Sequence, residues 1–133
     1  SRLVANLEQF GTDLGIAFQI IDDILDVLGD ERTTGKSLGS DLDKQKPTLP
    51  IIRLLSQCDA NERDELLLLL REQPEGYRSL IRQRLEEKNA IAYAQERARD
   101  FVVAAVGRLS YFAPSPALDA IRQLAAFVIS RDR

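Results

Sequence analysis

Three carboxylates crowd into a run that is otherwise nearly all apolar, Phe18-Gln-Ile-Ile-Asp22-Asp23-Ile-Leu-Asp26. Ionised side chains rarely leave water without a partner. No Lys or Arg lies between Ala5 and Asp30 to provide one. At about 100° per residue, Asp22, Asp23 and Asp26 fall in one stripe of a helix, because positions i and i+4 stack. Three like charges on such a helix need a cation, and a metal ion is the simplest source. Hard carboxylate oxygens favour Mg²⁺ over softer ions. Mg²⁺ keeps several waters and is usually held by one or two carboxylates plus substrate phosphates. The cluster therefore predicts a phosphorylated ligand, with Mg²⁺ as the bridge.

The same helical side carries Gly15, Phe18 and Gln19. Gln19 lies one turn before the acids and offers an amide to a polar ligand. The competing reading is a solvated acidic patch, since short acidic patterns arise often by chance. Two features favour a site. The surrounding helix is too apolar for a surface helix, and the segment after it supplies Lys36, Lys44 and Lys46. Positive charge beside a bound diphosphate is what phosphate oxygens need. For Lys44 an ordinary solvated role is favoured. The Thr-Gly-Lys36-Ser stretch lacks the upstream glycine and the preceding strand of a phosphate-binding P-loop, so that reading is rejected.

The elements that must position these residues are helices. Leu3, Leu7, Phe10 and Leu14 recur at amphipathic spacing. From Leu14 to Leu28 the pattern is apolar nearly all round except for the acids, which predicts a central helix buried on every side. It should run from about Arg2 to Leu28 and stop at Gly29. Residues 29–47 read as a long polar connection with three glycines and a proline. Further helices are expected over Pro47–Ser56, Glu62–Glu72 with Asn61 as N-cap, Gly76–Lys88, Ala90–Leu109 after Asn89, and from beyond Pro116 to about Ser130. The reading is all-α, a bundle of about six helices in one domain, 1–133. The Leu66–Leu70 run is expected in the core, Tyr77, Tyr93 and Tyr111 at its edge, and Cys58 inert.

Composition removes other chemistries. There is no histidine and one cysteine, so a Cys/His zinc site, a Ser-His-Asp triad, a Cys-His dyad and an intrachain disulfide are all excluded. Net charge is −3, from 18 basic and 21 acidic residues, which is no footprint for nucleic acid. No apolar run approaches the roughly 20 residues that span a bilayer, and a cytoplasmic location is the default expectation. The chain contains no methionine, even at position 1, which leads us to expect that it is part of a longer protein.

Taken in order, Gly15-Ile-Ala-Phe-Gln-Ile-Ile-Asp-Asp-Ile-Leu-Asp26, Gly35-Lys36, Gly39-Ser-Asp41 and Lys46-Pro-Thr-Leu-Pro50 resemble the second aspartate-rich region of trans-isoprenyl diphosphate synthases. The helical remainder to Arg133 is similar to the C-terminal part of such enzymes, so the resemblance covers essentially the whole chain. It implies an isoprenoid-synthase-type α-helical fold. It implies that Asp22 and Asp23 ligate Mg²⁺ on an allylic diphosphate, with Asp26 completing the cluster. Phe18 and Gln19 would line the pocket near the allylic chain. Lys36 and Lys46 would neutralise the diphosphate, and Asp41 would order its segment. The implied reaction is head-to-tail condensation of isopentenyl diphosphate with the allylic diphosphate. Gln45 stands where family members often have glycine.

The first aspartate-rich motif of such enzymes, the basic residues for isopentenyl diphosphate and the residues that set product length are absent from this chain. The expectation is a C-terminal half that does not turn over alone and that associates through uncovered apolar surface. A non-catalytic subunit on the same fold is the alternative. A class I terpenoid cyclase fits the Phe-Gln before the acids and the Gly-Lys after them less well.

Overall fold

A computed structural model describes residues 1–28 and 48–130. Helix α1 spans Arg2–Leu28, as its periodicity predicts. Its start is tied by the Val4 amide, which donates to Ser1 Oγ at 3.2 Å. Phe10, Ala17, Ile20, Ile21, Ile24 and Val27 make its buried stripe, at the three- and four-residue steps of a helix face. Asn6 and Asp13 are buried in the same stripe. They are satisfied within the helix, Asn6 donating to the Arg2 carbonyl at 3.0 Å and Asp13 accepting from Gln9 at 2.9 Å.

One expectation is corrected here. Over Leu14–Leu28, helix α1 is not buried on every side: Ile16 and Phe18 stand exposed, as do Leu3, Val4 and Leu7 of its amphipathic start. Apolar character all round a helix says that each side can be buried. It does not say that the described residues bury them all.

The chain divides into two compact units. The first comprises Ser1–Ile21 and Gln95–Arg133, and the second Asp22–Ala94, so α1 runs through both.

In the second unit, α2 (Leu49–Ser56) and α3 (Ala60–Glu72) pack against α4 (Tyr77–Glu87). Pro50 in the first turn of α2 costs no hydrogen bond, because the first helical amides have no intrahelical acceptor. Asp59, not Asn61, caps α3, its Oδ1 accepting from the Glu62 amide at 2.8 Å. Asp59 reaches the third helical amide from the extended backbone a cap requires, whereas Asn61 already lies inside the first turn. Gln73 closes α3 in the left-handed conformation with φ 50°, and Gly76 enters α4 at φ 80°. The core is aliphatic: Val27, Ile51, Leu54, Leu66, Leu70, Ile81 and Leu85, with Tyr77 and Cys58. Of the leucine run, only Leu66 and Leu70 are buried, while Leu67 and Leu68 are exposed, as four-residue spacing on one helix face requires. The Arg53 guanidinium lies 4.2 Å from the Tyr93 ring centre, and Lys88 pairs with Glu62 at 3.3 Å.

Helix α5, Ala90–Arg108, follows Asn89, which adopts φ 56°. In the first unit its buried stripe is Ala98, Val102 and Ala105, continued by Leu109 in a 3₁₀ turn over Leu109–Tyr111. Helix α6, Pro116–Ser130, is capped by Ser115, whose Oγ accepts from the Leu118 amide at 3.0 Å. It buries Leu118, Ala125 and Val128. Alanines at these positions let helix backbones approach closely. Tyr77 is buried rather than at the core edge, Tyr93 is half-buried, and Tyr111 is exposed. No strand occurs among the described residues.

Candidate functional site

The last two turns of α1 carry Asp22, Asp23 and Asp26, all half-buried. Their intermediate exposure follows from register. Ile21, Ile24 and Val27 take the core stripe of the same turns, and each aspartate sits beside one of them. The acids are thus held at the margin of an apolar surface. There the lower local dielectric strengthens any charge interaction they make. One turn earlier, Gln19 and Phe18 are exposed, Phe18 at 44%.

Among the described residues no group of three or more His, Cys, Asp or Glu side chains forms a cluster able to hold a metal ion unaided. Carboxylates at i, i+1 and i+4 of one helix fan round its axis rather than meeting at a point. That arrangement fits Mg²⁺, which takes one or two protein carboxylates and completes its shell with water and phosphate oxygens. It does not fit an ion that needs a full protein cage. Lys36, Lys44, Asp41 and Lys46, the other site residues expected from the sequence, lie outside the described residues.

One polar contact at this end of α1 has no counterpart in the sequence reading. Arg82 of α4 donates from Nη2 to the Val27 carbonyl at 3.3 Å. The Arg82 Nε is buried and makes no hydrogen bond. Arg82 follows Ile81 directly, at the flank of the buried Tyr77, Ile81 and Leu85 stripe. A basic residue at the edge of an apolar stripe was the available signal, but nothing local names a partner 55 residues away.

Other reactive groups do not compete for the role. Cys58 is buried, its Sγ donates to the Leu54 carbonyl at 3.1 Å, and burial, with Glu62 adding to it, pushes the thiol up. A raised thiol is a poor nucleophile, as the sequence suggested. An apolar cavity of ≈ 200 Å³ in the first unit is lined by residues including Leu7, Leu109, Phe112 and Ile121. A surface hollow in the second unit lies over Leu68, Leu69 and Pro74, flanked by Glu65 and Glu72. Neither is lined by the aspartates of α1. No helix of the described residues is long and apolar enough to cross a membrane.

Comparison with known proteins places this helix and its acids in a family. The polyprenyl synthetase family model matches residues 1–87, which includes all three aspartates. A short chain isoprenyl diphosphate synthase of Methanothermobacter thermautotrophicus is 36% identical over 129 residues, covering 97% of this chain and 40% of the relative. A decaprenyl diphosphate synthase from Rhodobacter capsulatus superposes with a TM-score of 0.88 at 27% identity, over 99% of this chain and 41% of that one. A polyprenyl synthase from Caulobacter crescentus, solved in complex with calcium and isoprenyl diphosphate, gives 0.86 at 30% identity, over 97% of this chain and 40% of that one. The chain spans about 40% of the length of the curated relatives it matches. Sequence match and all-helical architecture agree over the carboxylate helix and beyond it, and the chain belongs to the polyprenyl synthetase family.

Proposed function

We propose that this chain supplies the metal and diphosphate side of a trans-prenyltransferase that joins isopentenyl diphosphate to an allylic diphosphate. The observation that carries the reading is the set of half-buried acids on the last two turns of α1, inside the stretch the family match covers. The calcium and isoprenyl diphosphate of the Caulobacter crescentus relative support a divalent cation and a diphosphate as the ligands.

Asp22 and Asp23 bind and orient Mg²⁺ against the allylic diphosphate, and Asp26 adds negative charge to the same cluster. When bound, Mg²⁺ stabilises the negative charge that develops on the departing diphosphate. Lys36 and Lys46 serve the same end, with Asp41 in the same stretch of sequence. The allylic C–O bond breaks with its electron pair leaving on diphosphate. The double bond of isopentenyl diphosphate attacks the resulting cation, and a proton is lost. Phe18 and Gln19 lie beside the reacting chain. The exposed apolar side chains of α1 support a further reading, that the 133-residue chain by itself self-associates and does not turn over.

The test uses the full natural protein that contains this chain, labelled isopentenyl diphosphate and a set of allylic primers. Turnover is expected to require Mg²⁺ and to cease when a chelator removes it. Asp22→Ala should lower condensation by about a hundredfold or more, the scale of losing electrostatic stabilisation of a transition state, with the helical circular dichroism unchanged. Undiminished turnover in that variant would reject the metal assignment.

A further inference from the structure

A helix ends with four carbonyls that have no intrahelical partner and with partial negative charge. The end of α1 compounds this. Its last turn carries no basic residue, and Asp22, Asp23 and Asp26 add formal negative charge within the last two turns. An isolated helix of this kind would fray at the place where the carboxylates must hold their geometry. A cation from another helix reaches this stretch of α1. Arg82 of α4 donates to the carbonyl of Val27 at 3.3 Å, one residue beyond Asp26. Val27 is itself 4% exposed and belongs to the aliphatic core of the second unit, so packing and hydrogen bond converge on one residue.

The local chemistry argues that charge is the reason for an arginine here. Its Nε is buried without an acceptor, which is a cost. A methionine or leucine would fill the same space without that cost. What those residues could not do is bond the carbonyl and place positive charge at the end of the helix.

We propose that Arg82 is a positioning residue for the carboxylate cluster, holding the last turn of α1 so that Asp23 and Asp26 keep one geometry toward Mg²⁺. This rests on the metal reading given above. Arg82 does not touch substrate. It acts through the Val27 carbonyl and through the field at the helix end, so its removal loosens the last turn and weakens the response to Mg²⁺ before it affects the fold as a whole.

The experiment compares Arg82→Gln, Arg82→Met and Arg82→Lys in the full natural protein, with Gln83→Ala on the same helix as a control. Three quantities are measured: the Mg²⁺ concentration for half-maximal condensation, the melting temperature without substrate, and amide hydrogen exchange over residues 22–28. The Gln and Met variants should need about two- to fivefold more Mg²⁺, the scale of a charge effect at a helix terminus. They should exchange faster at the end of α1, and Arg82→Lys should recover most of both effects. Unchanged Mg²⁺ requirement and exchange in both charge-removing variants would overturn the proposal. So would a lowered melting temperature with the Mg²⁺ requirement intact, since that marks a plain structural tether. Asp23→Asn is run in parallel. If it leaves the Mg²⁺ response untouched, the metal reading fails, while the exchange data still decide whether Arg82 pins the helix end.

Discussion

The two units of this chain differ most in the apolar surface they leave exposed. The second, Asp22–Ala94, has a core of large aliphatic side chains in which Leu54, Ile81 and Leu85 are almost wholly buried. The first, Ser1–Ile21 with Gln95–Arg133, mixes Phe10, Ile20, Ile21, Val102, Leu109, Leu118 and Val128 with four fully buried alanines, Ala17, Ala98, Ala105 and Ala125. Their outsides differ as well. Nine large apolar side chains stand exposed in the first unit, Leu3, Val4, Leu7, Ile16, Phe18, Val103, Tyr111, Leu124 and Phe127, against Ile52, Leu67, Leu68 and Leu80 among the described residues of the second. Each exposed side chain of this size leaves in water apolar area that burial would remove. The unit that carries the acids is thus the better sealed, and the unit with the open apolar surface is where association is expected.

The comparison can be broken by mutation. Leu85→Ala opens a cavity in the sealed core and is expected to destabilise the protein by about 2–5 kcal/mol, read by chemical denaturation. Ala98→Leu overfills a fully buried site of the first unit and should cost about 1–3 kcal/mol, with faster amide exchange confined to that unit. A larger loss for Ala98→Leu than for Leu85→Ala would reverse the ranking of the two cores. Asp59→Ala removes the α3 cap and should cost about 1 kcal/mol, again within the second unit. Replacing Leu124 and Phe127 together with serine should shift the isolated chain toward monomer in light scattering, whereas the same change at Leu67 and Leu68 should shift it less. The smallest effect is chemical. Cys58 should resist thiol reagents near neutral pH until the second unit unfolds, because burial raises its thiol. Since that thiol titrates higher folded than unfolded, its contribution is complete below the unfolded value and fades as pH rises through the folded one.

Much of the architecture was legible from local pattern. The bounds of α1 and the helical stretches expected over Glu62–Glu72 and Ala90–Leu109 follow from periodicity and punctuation that act over a few residues. The cap of α3 was misplaced at Asn61 because both Asp59 and Asn61 are good cap residues, and only backbone geometry chooses between them. The acids were legible as neighbours on one helix because spacing alone places them there, though among the described residues they form no three-carboxylate metal cluster.

What the chain by itself determined is therefore short-range: helices, their faces, and three carboxylates on one of them, since each depends on neighbours within about two turns. The exposed side of α1 and the arrival of Arg82 at the Val27 carbonyl were decided by tertiary packing. Both depend on which distant surfaces meet, and no spacing within a single helix encodes the address of a partner 55 residues along the chain.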